Sequence, residues 1–141
     1  MNGKEFIKQF EACTLPTESF HHRDHVKLVW LYLQRYPVLE TLVLISEGLK
    51  RFAAANGKDN LYHETITWAY VLLIHERMQR AGRKQRWEDF AAANPDLFDW
   101  QNSILKTYYR EETLRSELAR RVFVFPDRDS CISQAQVVGA K

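Results

Sequence analysis

Three of the chain's five histidines fall within five residues, in the run Phe20-His21-His22-Arg23-Asp24-His25. Residues three or four apart on a helix are neighbours, with Cβ atoms roughly 5–6 Å apart, so His22 and His25 can aim two imidazoles at one ion. His21 and His25 have the same option. The pair His22 and His25 is favoured because it continues the apolar stripe of Val26, Val29 and Leu33 inward. A second cluster follows in Leu61-Tyr62-His63-Glu64-Thr65-Ile66-Thr67-Trp68, where His63 shares a stripe with Ile66, Tyr70, Leu73 and Ile74. Two inward histidines on one helix and one on another would make a three-nitrogen site with an open position, the pattern of a catalytic metal. Such ligands suit a divalent transition metal (Zn, Fe, Ni or Cu) without choosing among them. Glu64 lies about 100° around the helix from His63. It is the candidate catalytic residue, as general base, extra ligand or orienting partner. Tyr62, Trp68 and Arg23 are the candidates for shaping a substrate pocket.

The leading expectation is therefore a small metal-dependent enzyme, with His22, His25 and His63 as ligands and an unidentified small molecule as substrate. With Zn the reaction would be hydrolysis or hydration, and with Fe or Cu oxidative chemistry. A second expectation keeps the pocket without a metal. The same histidines and Glu64 then do acid–base work or, with Arg23, bind a small anion. A third is a helical interaction protein whose histidines are hydrogen-bonded core or helix-start residues. Familiar motifs do not decide among these. His63-Glu64 lacks the second histidine of HExxH, since Thr67 stands there, and His75-Glu76 fails in the same way at Gln79. His22-Arg23-Asp24 has Val29 where a kinase needs its metal-binding Asn. The basic run Arg77, Arg80, Arg83, Lys84 and Arg86 is expected to be a solvated helix C-terminus offsetting the dipole. Asp127-Arg128 is expected to be a surface turn.

The elements that must carry these residues are helical almost throughout. Phe6, Ile7 and Phe10 predict a short first helix. Ser19 or Thr17 would cap a second through HHRDHVKLVWLYLQRY, ended by Pro37. A third begins at Pro37, with the stripe Val38, Leu42, Ile45, Leu49, Phe52 and Ala53, and stops at Asn56-Gly57. A fourth runs from about Tyr62 to Arg80, capped by Asn60 and ended at Ala81-Gly82. Shorter helices follow: Trp87 to Ala93, one through Ile104 to Tyr108 capped by Asp99 or Asn102, and Glu111 to Arg121. Val122 to Phe125 is apolar and could be extended. The architecture expected is all-α: a compact single-domain bundle of three long helices with short C-terminal helices, covering residues 1–128. Residues 129–141 are small or polar and are expected to be a flexible tail.

Composition narrows the classes further. The chain has 141 residues, 45% of them hydrophobic and 18 of them aromatic, enough for one core. Lys plus Arg is 20 against 18 for Asp plus Glu, which argues against a dedicated nucleic-acid binder. No apolar stretch is long enough to span a bilayer, because Glu40, Thr41, Ser46 and Glu47 interrupt the best one. The start Met1 to Phe6 has no signal-peptide character. Cys13 and Cys131 make no disulfide framework, so a cytoplasmic, reduced protein acting on a small molecule is expected. The segments HRDHVKLVWLYLQRYP, FAAANG, LYHETITWAY and FVFPDR, spread over roughly residues 15–128, resemble an uncharacterised family of small bacterial all-helical proteins. The paired HRDH and YHET segments are the specific part. The resemblance implies a stand-alone bacterial helical domain and no particular substrate.

Overall fold

The computed structural model describes residues 2–128. The expected tail and Cys131 lie outside the described residues. Helix α1 spans Gly3–Glu11, and the Asn2 side chain caps it by accepting the Glu5 N–H at 2.8 Å. Ile7 and Phe10, one turn apart, are its buried face. It ends with Cys13 in the left-handed region at φ 58, while the Thr14 N–H returns to the Gln9 carbonyl at 2.9 Å. That is the wrapping of a Schellman stop, with Cys in the place usually given to Gly.

Helix α2 spans His22–Arg35. Thr17–Ser19, where the cap was expected, forms a separate 3-10 turn. His21 is the capping residue, and the Asp24 carboxylate accepts the His21 N–H at 3.0 Å. Val26, Leu28, Val29, Trp30 and Tyr32 are buried along it. Tyr36 and Pro37 leave helical geometry, and α3 follows at once as Val38–Ala55. Gly48 on α3 meets Phe10 of α1 so closely that a Cβ there would lie 2.6 Å from the ring. This glycine lets α1 settle onto the bundle.

Helix α4 spans Glu64–Ala81 and closes on Gly82 at φ 69, a conformation glycine adopts without penalty. Asn60 does not cap it: Asp59–Leu61 forms a 3-10 turn, and His63 is the capping residue. Helices α2, α3 and α4 pack on one another and enclose the core around Val29, Ile45, Val71 and Ile74. The short elements are α5 (Trp87–Ala93), α6 (Leu105–Tyr108), α7 (Glu111–Leu114) and α8 (Glu117–Arg121). The expected single helix over 111–121 is thus two, because Ser116 caps α8 by accepting the Ala119 N–H. Helices of four to seven residues do not persist alone in water. Most of the chain beyond Gly82 is instead pinned by buried side chains: Phe90, Leu97, Leu105, Tyr109 and Ala119 are all at most 1% exposed. Burial of one such large apolar side chain contributes roughly 1.5–3 kcal/mol.

The apolar segment after α8 is not a strand. It is laced onto α4 and α6 by individual hydrogen bonds. The Thr65 hydroxyl donates to the Val122 carbonyl at 2.8 Å and accepts the Val124 N–H at 3.1 Å. The Tyr109 hydroxyl donates to the Val124 carbonyl at 2.6 Å. Asp127 is more than a surface turn: its carboxylate accepts the Arg110 N–H and the Thr113 hydroxyl, and its own N–H reaches the Tyr108 carbonyl. Among the described residues no helix is long and apolar enough to cross a membrane.

Candidate functional site

A cavity of about 590 Å³ lies where the N-terminal ends of α2 and α4 meet the C-terminal half of α3. That volume is in the range of small-molecule sites. Its walls are mostly apolar, with Phe20, Val29, Ile45, Phe52 and Ile66 among them. His22, His25 and His63 all line it, so the two histidine clusters do come together in space. Tyr62 lines it too.

The three imidazoles have different surroundings. His63 uses both ring nitrogens. Nδ1 accepts the Ile66 N–H at 3.1 Å, which caps α4. Nδ1 therefore carries no proton, and Nε2 donates to the Leu114 carbonyl at 2.7 Å. His22 donates from Nε2 to the Leu97 carbonyl at 2.8 Å and is packed between the rings of Tyr70 and Trp100, each 4.9 Å away. Burial holds its pKa below the ordinary value, with the Leu97 carbonyl acting in the opposite direction. The His25 N–H donates to the His21 carbonyl at 3.1 Å, but its ring makes no hydrogen bond among the described residues. Its ring stacks on Phe20 at 4.2 Å. The side chain is half-buried and lines the cavity. Burial, with His22 adding to it and Asp24 opposing, lowers its pKa to about 4, so the ring is neutral at pH 7.

The expected ligand set is therefore in one cavity without being arranged as ligands. Among the described residues, no three His, Cys, Asp or Glu side chains are grouped to hold a metal ion. The physical reason is that His63 has no nitrogen left to give, and that His22 offers Nδ1 alone.

The other expected site residues divide. Tyr62 faces the cavity, and its hydroxyl donates to Glu64 Oε1 at 2.5 Å. Burial and this carboxylate push the phenol well above its ordinary pKa. Glu64 itself is outside the cavity wall, where it holds Tyr62. Trp68 is also outside, stacked on Phe123 at 5.4 Å, with its Nε1 buried and unpartnered. Arg23 lies over the rings of Phe98 and Trp87, at 4.9 and 5.7 Å, away from the cavity. Sequence reasoning passed over Tyr70, Phe20 and Lys58, which line the wall. The signal for Tyr70 was its place on the stripe seven residues after His63. Phe20 and Lys58 sit in connecting segments, where periodicity carries no information.

The basic run is mostly paired. Arg77 meets Asp96 at 2.7 Å, Arg80 meets Glu76 at 3.1 Å, and Arg86 meets Asp89 at 3.8 Å. Comparison with known protein families, curated proteins and solved structures finds no match for this chain.

Proposed function

We propose that this protein binds a small, largely apolar molecule in the cavity between α2, α3 and α4, without a metal. The observation that carries the proposal is the pairing of a mostly apolar cavity of about 590 Å³ with one imidazole in its wall, His25, whose ring has no hydrogen-bond partner within the protein. Binding is favoured over acid–base catalysis because no carboxylate lines the wall to orient or recharge an imidazole. The enzyme with three histidine ligands has less support, since His63 is spent on the Ile66 N–H and the Leu114 carbonyl.

The test uses N-phenyl-1-naphthylamine, an uncharged dye that fluoresces in apolar surroundings. The expected result is saturable binding of one dye per chain. Ala53 lines the cavity from α3, and Ala53→Trp should fill the space and abolish the signal while the helical circular dichroism is kept. Absence of dye binding, or equal binding by a folded Ala53→Trp variant, would overturn the proposal.

A further inference from the structure

We propose that the cavity is selective for an apolar monocarboxylic acid, whose carboxylate is seated on the imidazole of His25. This rests on the cavity being a ligand site, and it adds the chemical class of the ligand. Three observations carry it.

The first is the unmet hydrogen-bonding capacity of His25. The His25 ring has no hydrogen-bond partner within the protein and lines the cavity, so a ligand group placed against it can supply one. The other two imidazoles do not present the same need, because His22 and His63 are tied to the carbonyls of Leu97 and Leu114. Of these three imidazoles, His25 is the one whose ring is not tied to a carbonyl and can meet a polar head group.

The second is the sign of the wall. Its ionisable residues are histidines, the tyrosines Tyr62 and Tyr70, and Lys58, with no Asp or Glu among them. The nearest acids on the flanking helices are already engaged. Asp24 accepts the His21 N–H, and Glu64 accepts the Tyr62 hydroxyl. An ammonium head would be desolvated here with no carboxylate to face, whereas a carboxylate head has the Lys58 ammonium on the same wall. A carboxylate meets an imidazole N–H, in a charge-assisted bond stronger than an alcohol would form. The first turns of α2 and α4 also end at this cavity and add positive potential in the same sense.

The third is the shape of the demand. The wall is mostly apolar, with Phe20, Val29, Ile45, Phe52 and Ile66 in it, and its polar side chains are the minority. A ligand with one acidic end and an apolar body matches such a wall, whereas a sugar would set most of its hydroxyls against apolar side chains.

The experiment measures displacement of N-phenyl-1-naphthylamine from the full chain by decanoate, decanol and decylamine at pH 7. Decanoate is expected to compete at least tenfold more strongly than either of the others. In His25→Phe, which keeps the aromatic stack on Phe20, that preference should shrink to within threefold, each competitor being scored against the dye affinity measured for that variant. His25→Gln serves the same comparison if the Phe variant does not fold. Equal or stronger competition by decanol or decylamine would overturn the proposal, as would a preference for decanoate that survives both substitutions. Failure of all three to displace a bound dye overturns it as well, and leaves the cavity as a binding site for another class. Failure of the dye itself to bind removes the site, and with it both proposals.

Discussion

His25 and His63 show how two histidines in one cavity take opposite roles. His63 ties the first turn of α4 to the end of α7 through both nitrogens. Replacing it by Ala should cost about 1.5–5 kcal/mol, the sum of a lost cap and an orphaned carbonyl. His63→Asn should recover part of this, since Asn caps well but does not reach Leu114. Urea denaturation of the two variants checks this, and equal stabilities would remove the capping role. His25 sets a pH dependence. It titrates near 4 in the folded chain, against 6.5 for an ordinary histidine. Between those values the unfolded chain binds more protons, so stability is full above about pH 6.5 and is lost as pH falls toward 4. The loss amounts to at most about 3 kcal/mol, and His22, also held low by burial, contributes with the same sign. Urea midpoints measured from pH 4.5 to 7 should therefore rise with pH, and less steeply in His25→Phe. A slope unchanged by the substitution would show that His25 is not the group responsible.

At the scale of elements, the contact that places α1 is the approach of Phe10 to Gly48. Phe10 is 1% exposed and wedged among Phe20, Tyr32 and Phe52 at ring separations of 6.1 to 6.3 Å, so its ring has no room to withdraw. A Cβ at position 48 would sit 2.6 Å from that ring. Gly48→Ala raises helix propensity by up to about 1 kcal/mol, but overpacking costs typically 1–3 kcal/mol, and the clash should win. Thermal unfolding should show a lower midpoint. A rise would mean that α1 rides on the bundle loosely enough to shift. The 3-10 turns before α2 and α4 follow a similar local logic. In each case a histidine stands where the extended chain turns into a long helix, which is why both histidine segments open onto the same end of the bundle.

For the molecule as a whole, closure depends on the segment beyond α8. Thr65 is fully buried, and its single hydroxyl serves both the Val122 carbonyl and the Val124 N–H. Thr65→Val keeps the shape and removes both bonds, so it should lower stability by about 1–3 kcal/mol and speed amide exchange at Val124. Thr65→Ser should restore the protection. If the exchange at Val124 is unchanged in Thr65→Val, Tyr109 and Asp127 suffice to hold the segment. The same lacing packs Phe123 against Trp68, which draws Trp68 out of the cavity to which sequence reasoning assigned it.

The all-α class, the three long helices and most of their inward faces follow from the sequence alone, because apolar residues at helical spacing and the stops at Pro37, Gly57 and Gly82 are local physics. The inward phase of His22, His25 and His63 was also legible from the apolar stripes they continue, and all three line one cavity. What each imidazole does there was decided by tertiary structure. The carbonyls of Leu97 and Leu114 come from segments 75 and 51 residues away, and they take the nitrogens that a metal would need. Glu64, Trp68 and Arg23 were displaced from the site for the same reason: Tyr62, Phe123 and the rings of Trp87 and Phe98 compete for them. Helical phase limits which side of a helix a residue occupies, but the partner waiting on that side is supplied by distant chain, and no local pattern encodes it.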